Sequence, residues 1–258
     1  MTIKHHIKKI FFLAFWVAVS AGIMVLLIAA IRERKDKTCR GYSIRITGAG
    51  EKRFMDEQHI VDLLKVNGGI RGKSIKRFDL QNIEVRLERS AWVRNAELFF
   101  DNNQVLQVRV EEKEPIARVF TTDGNSYYIS RNGETLPLSV HYSARLPVFT
   151  NFPGGVGVIR NKADSVLVLN MEQVCDYLLK NPFWMSQVAQ VDITPARTFE
   201  MVPVIGNHII EFGDGADCEK KFHRLMLFYK QVLSQAGLDL YERIKVQYAG
   251  QIVGVKKG

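Results

Sequence analysis

Cysteine is scarce in this 258-residue chain: Cys39, Cys175 and Cys218 are scattered and form no CxxC pair. That excludes a disulfide framework and a finger-type zinc site, and leaves only a single Cys175–Cys218 bridge open. The six histidines, His5, His6, His59, His141, His208 and His223, give no HExxH, and no two of them share a helix face, so solvated roles are expected for them. A serine in GxSxG context is missing, as is a cysteine in an activating setting. The acids of GDGADC, Asp214 and Asp217, depart from DxDxDG spacing and lack the terminal bidentate glutamate of a calcium loop, so they read as a turn residue and a helix cap. No catalytic residue, metal site or cofactor is therefore expected, nor any small-molecule substrate.

Two further candidates are weak for stated reasons. NGGIRGKS, residues 67 to 74, resembles a phosphate loop, but Asn67 stands in place of the first glycine and the segment before it has helical periodicity. A loop between two helices with exposed Lys73 and Arg71 is the plainer reading. In VRVEEKEPIARVF, residues 108 to 120, Glu112 and Glu114 would share one face of an extended strand, roughly 6.6 to 6.8 Å apart. With no cleft to aim at, Glu111, Glu112 and Glu114 are expected to solvate a strand end that Pro115 holds extended.

Disorder is excluded by composition, with 47% apolar and 24% charged residues. The formal charge of +9 is concentrated near the start, in the head and in residues 32 to 40. Basic residues do not gather in a stripe interleaved with aromatics, so nucleic acid is not an expected partner.

One long apolar run is present. Ile10 to Ile31, IFFLAFWVAVSAGIMVLLIAAI, has no charge, proline or amide, and as a helix would be roughly 33 Å long, enough to cross a hydrocarbon core. An uncleaved signal anchor fits best. A cleaved signal peptide, with KHHIKK as its basic start and Ala18-Val19-Ser20 for cleavage, is the main rival, and a core helix apolar on every side is the third. Flanking charges alone do not favour a cytoplasmic N-terminus. Lysines and arginines on both flanks suit anionic lipid.

After a polar linker at 32–41, a strand at Tyr42–Ile46 precedes a helix from Asp56 to the Asn67-Gly68-Gly69 stop. A second helix begins at the candidate cap Asp79, and a hairpin turns at Asp101-Asn102-Asn103, which completes a βααββ unit over 42–113. Residues 114–258 read as a mostly antiparallel β domain with two helices, and the whole as α+β. Its pieces are turns at Asp123-Gly124-Asn125 and Asn132-Gly133, an edge at Pro137, a loop at 151–157, and a helix ending before Pro182. Strands follow near 187–193, 199–205 and 208–212. A long helix then runs from Asp217 to Gly237, and the strands RIKVQY and IVGVKK turn at Ala249-Gly250.

Several local runs carry a resemblance. Ser90-Ala91-Trp92-Val93-Arg94-Asn95-Ala96 is similar to a "PWV..A" run, Val110-Glu111-Glu112-Lys113-Glu114-Pro115-Ile116-Ala117 to "V.E..PIA", Leu146-Pro147 to an "LP" pair, and Lys221-Phe222 with Leu225 to a "K...L" helix start. In this order, after one anchor, they resemble the bacterial cell-division family FtsQ/DivIB, whose first external domain is POTRA-like. The resemblance implies a non-enzymatic single-pass scaffold of the cytoplasmic (inner) membrane, at the division septum, with residues 1–9 in the cytoplasm and its bulk in the periplasm. It implies FtsB- and FtsL-type partners. If IVGVKK is an edge strand, a partner strand can add to it, which makes Tyr248, Gln251, Ile252, Val253, Gly254 and Val255 the candidate partner-binding residues. A POTRA-bearing chaperone or transport component and a membrane-anchored envelope enzyme are the rival readings.

Overall fold

The computed structural model describes residues 3–35, 37–48, 53–64, 69–139, 142–153 and 162–258. Helix α1, Ile3–Lys35, overshoots the expected apolar segment at both ends. Its window Phe12–Ala29 has a mean hydropathy of 2.5, and none of it is buried. An exposed apolar helix of this length has no protein core to hide in, which removes the buried-helix reading.

The chain divides into two compact units. The first gathers Met1–Ile46, Glu57–Arg89 and Asn95–Val110; the second gathers Thr47–Asp56, Ser90–Arg94 and Glu111–Gly258. In the first unit, β1 (Gly41–Thr47) is followed by α2 (Glu57–Leu64), α3 (Leu80–Glu88), β2 (Val93–Phe100) and β3 (Val105–Glu112). The sheet order is β1-β3-β2. The core takes one face of each element: Ile60, Val61 and Leu64 from α2, Leu87 from α3, and Leu98, Leu106 and Val108 from the hairpin are buried. Asp79 caps α3 as expected, its carboxylate accepting the Asn82 amide at 3.1 Å. The Asn67-Gly68 part of the α2 stop signal lies outside the described residues.

The second unit is built on β4 (Pro115–Thr121), β5 (Ser126–Ser130), β6 (Thr135–Leu136), β7 (Val148–Phe152), α4 (Lys162–Lys180) and α5 (Pro182–Gln187). It continues through β8 (Val188–Ile193), β9 (Phe199–Pro203), β10 (Ile209–Gly213), α6 (Cys218–Phe228), β11 (Tyr241–Lys245) and β12 (Val253–Lys256). One nine-stranded sheet runs β12-β11-β10-β9-β8-β7-β4-β5-β6. Three pairings, β4 with β7, β7 with β8 and β10 with β11, are parallel, so the sheet is mixed although antiparallel pairs predominate. The apolar faces of α4 and α6 meet the sheet, burying Leu167, Met171, Val174 and Leu178 with Phe222 and Leu225 against Phe149, Phe199, Met201, Phe212 and Ile244.

Two elements depart from the sequence expectations. Residues 148–152 form β7 at a parallel junction of the sheet, so Asn151 and Phe152 of the loop expected at 151–157 are strand, and residues 154–157 lie outside the described residues. A register shift opposite Val119–Thr121 and a left-handed Asn151 (φ 58°) bring both Phe149 and Phe152 inward, which breaks the period of two that a regular strand shows. Pro182 does more than stop α4: it opens α5, whose N-cap Asn181 accepts the Trp184 amide at 3.4 Å.

Asp217 precedes α6 but makes no side-chain cap bond; its backbone is left-handed (φ 53°) and its carboxylate pairs with Lys220 at 2.8 Å. Asp214 is the working acid there, turning the loop through the Ala216 amide (3.2 Å) and binding the buried Lys221 ammonium at 2.8 Å. The expected long helix passes through a π turn at Tyr229–Leu233 before ending at Gly237.

Candidate partner-binding edge

Four strands end the two sheets, and they are finished differently. The free side of β2 is closed by α3: Glu84 accepts the Leu98 amide at 2.6 Å and Glu88 accepts the Ala96 amide at 3.3 Å. Those carboxylates occupy donors that a foreign strand would need. β6 has only two residues and runs into Pro137. β1, seven residues long, ends the small sheet, and β12 ends the large one.

The geometry of β12 follows from its partner. Val246 donates its amide to the Glu211 carbonyl at 3.0 Å, which turns the backbones of Val246 and Ile244 toward β10 and those of Arg243 and Lys245 toward β12. Lys257 donates to the Leu240 carbonyl at 3.1 Å, so Lys257, Val255 and Val253 bond inward to β11. By alternation, the N–H and C=O groups of Gly254 and Lys256 face the open side.

Side chains alternate as well. Gly254 lies opposite Ile244, a core residue, while Val255 lies opposite Arg243 and Val253 opposite Lys245. Gly254 therefore points to the helix-covered face, where a Cβ would come 2.5 Å from Cε1 of the Tyr241 ring. That ring packs on Phe228 of α6, with centroids 5.5 Å apart. Ile252 packs onto the same core.

Val253 (39% exposed) and Val255 (36%) share the other face with a ladder of charge. Arg243 binds both Glu200 and Glu211, and Lys245 reaches Glu211 at 3.4 Å. Burial pushes the Glu211 carboxyl up, but hydrogen bonds from Arg243 and Lys245, with their charges, hold it below the ordinary glutamate range. The Glu211 bond in turn raises Arg243. This ladder fixes β11, the template on which β12 lies.

The turn before β12 is tied to α6, because Arg224 donates to the carbonyls of Val246 (3.1 Å) and Tyr248 (3.2 Å). Tyr248 is 44% exposed and Gln251 is exposed. Of the six candidate residues, the structure thus gathers Tyr248, Gln251, Val253, Gly254 and Val255 along one rim. Ile252 is turned inward. Tyr241 and Arg224, which hold the rim in place, were not singled out from sequence, since both depend on contacts between distant segments.

Other sequence candidates land elsewhere. Glu112 is buried, not solvated: its Oε1 accepts the Met55 amide at 2.6 Å, and its buried Oε2 meets no hydrogen-bond partner among the described residues. Gly48 (φ 106°) lies against the same residue, where a Cβ would meet the Glu112 carbonyl oxygen at 2.7 Å. Of the acid cluster, only Glu114 is exposed; Glu111 pairs with Arg94 at 3.1 Å and Lys113 with Glu134 at 2.8 Å. His208 is also buried, bonded through Nε2 to the Tyr229 hydroxyl at 2.9 Å, while His223 is exposed. Cys175 and Cys218 are free thiols, both pushed up by burial, Cys218 to about 12. Among the described residues, no three His, Cys, Asp or Glu side chains gather as a metal site.

Residues 37–111 match the model of a family described as POTRA-like domain, and residues 114–255 match that of FtsQ/DivIB, C-terminal related. No curated protein matches the chain significantly. The second match covers more than half of the chain and includes most of β12; the chain belongs to the FtsQ/DivIB family.

Proposed function

We propose that this protein is a non-enzymatic, single-pass scaffold of the bacterial divisome that captures FtsB- or FtsL-type partners at the septum by adding a partner strand to β12. Membership in a family of division proteins and one exposed apolar N-terminal helix support a membrane-anchored division protein. On this reading α1 crosses the inner membrane with its N-terminus in the cytoplasm and the two units in the periplasm. Tyr248, Gln251, Val253, Gly254 and Val255 form the docking rim, and Ile252 seats β12 on the core.

The observation that carries the reading is the outward backbone of Gly254 and Lys256 on a strand that, among the described residues, is paired on one side only. An added antiparallel or parallel strand would satisfy those groups, and Val253 and Val255 would select its side chains. The Arg243–Glu211–Glu200 ladder keeps the template rigid, so little ordering is needed at capture.

Lys256→Pro is the direct test. It removes the outward N–H and leaves the inward bonds of Val255 and Lys257 to β11 in place. Lys256→Ala removes the side chain and keeps the N–H. Recovery of the partner complex with affinity-tagged full chain should fall sharply for Lys256→Pro and hold for Lys256→Ala. Equal recovery from both, with septal localisation of the tagged protein intact, would exclude strand addition at β12. A charge at Val253 or Val255 should weaken capture through the side-chain rim.

A further inference from the structure

The loop between α2 and α3 is basic, and it is fastened to the end of the membrane helix. Ile75 donates its amide to the Lys37 carbonyl at 3.0 Å, Cys39 donates to the Lys73 carbonyl at 2.8 Å, and Gly72 donates to the Cys39 carbonyl at 2.8 Å. Thr38 and Ser74 form an isolated antiparallel bridge. Helix α1 ends at Lys35, two residues before Lys37, and two residues span at most about 7 Å. The bound therefore holds whatever course the chain takes between them.

With Phe12–Ala29 in the hydrocarbon core, the last turns of α1 cross a headgroup layer roughly 5 to 8 Å deep. Loop 71–77 is then held at the outer surface of that layer, on whichever side of the membrane the unit lies. Its sequence, RGKSIKR, carries Arg71, Lys73, Lys76 and Arg77.

Beside this loop is a cavity of about 150 Å³, lined by Lys73, Arg77 and Arg86 with Asn82, Asp79 and apolar Leu64, Ile70, Phe78 and Ile83. At roughly 15 Å³ of such space per water that is room for about ten waters, enough for a phosphate and its ester oxygens. Arg77 and Arg86 share the lining with the Asp79 carboxylate, which caps α3. Two guanidinium groups at one cavity suit a phosphate, which accepts their N–H groups in pairs. The apolar wall is suited to the glycerol and first methylenes that follow a lipid phosphate, and would gain nothing from a free ion.

We propose that this cavity binds the phosphate of an anionic phospholipid, with Arg77 and Arg86 as the hydrogen-bonding pair and Lys73 as the neighbouring charge. The inference rests on the reading of α1 as membrane-spanning. The anchor makes the encounter intramolecular in effect, so that even a weak site is filled. Bound lipid would fix the first unit at the membrane surface.

The test uses the full chain in phosphatidylcholine nanodiscs with increasing phosphatidylglycerol, followed by amide hydrogen exchange of residues 69–78. Exchange should slow severalfold as phosphatidylglycerol rises, while β4 and β5 stay unchanged. Arg77→Gln should move the midpoint to about fivefold more phosphatidylglycerol, and Lys73→Gln with Arg77→Gln further still. Equal exchange in both lipids, or an unmoved midpoint in a variant whose α3 and β2 amides remain protected, would overturn the assignment. Equal slowing by inorganic phosphate in pure phosphatidylcholine would overturn it in favour of a free anion site. A chain that does not enter nanodiscs at all would overturn both this inference and the membrane reading beneath it; one that enters without lipid preference overturns the inference alone.

Discussion

Gly254 and Tyr241 occupy one space: the ring of Tyr241 lies where any side chain at 254 would have to go. The glycine is selected by packing, since a strand interior otherwise disfavours it. Gly254→Ala should displace the ring from Phe228 and cost about 1 to 3 kcal/mol. Thermal unfolding of the full chain measures that loss. Partner capture should weaken with it, because Tyr241 is part of the strand that templates β12.

Glu112 gives a pH signature. Burial raises its carboxyl, against the lowering effects of the Met55 and Phe54 amides and of Arg53. A folded-state value above the unfolded one means the folded protein holds the proton longer. Stability from this group is full below the unfolded value near 4.3 and is lost as pH rises through the folded value. Chemical unfolding against pH should show that decline, and Glu112→Gln should abolish it. Glu112→Ala should instead cost about 1 to 3 kcal/mol by stranding the Met55 amide.

His208 acts with the opposite sign. Burial holds its imidazole below the ordinary histidine range, so the folded protein resists protonation. Its contribution is present above the unfolded value near 6.5 and is lost as pH falls from there through the folded value. His208→Gln should flatten that acid limb in an unfolding series. The packing against Tyr229, whose hydroxyl burial pushes up to about 12, is retained in part by the amide.

Lys221 is buried at the start of α6, where its ammonium donates to the carbonyl and carboxylate of Asp214 and lies 5.1 Å from the Phe212 ring centroid. Lys221→Ala should cost about 1 to 3 kcal/mol by leaving the Asp214 carbonyl unpaired. Lys221→Arg should not rescue it, since a guanidinium fork does not fit a site made for a point charge. Denaturant titration of the three proteins separates these outcomes.

Periodicity carried much of the fold. The apolar run of α1, the βααββ order, the Asp79 cap and the helical face of Phe222 and Leu225 are local patterns, and each is where spacing put it. The local runs around Trp92, Pro115 and Lys221 carried the family. β7 escaped because a bulge hides its alternation, and α5 because proline stops one helix as readily as it starts another.

The sequence alone determined that the chain has an apolar helix able to cross a membrane, two folded regions after it, and no recognisable catalytic motif, because those follow from composition and short-range spacing. Tertiary structure decided what each charged residue does. Glu112 and His208 read as solvated and are buried, because burial is set by segments dozens of residues away, and Asp217 holds the N-cap position of α6 without a side-chain cap bond. It also decided which strand is open. Nothing in IVGVKK tells that β12 closes one end of a nine-stranded sheet, or that Glu84 and Glu88 close β2, since a free edge is a property of the whole sheet.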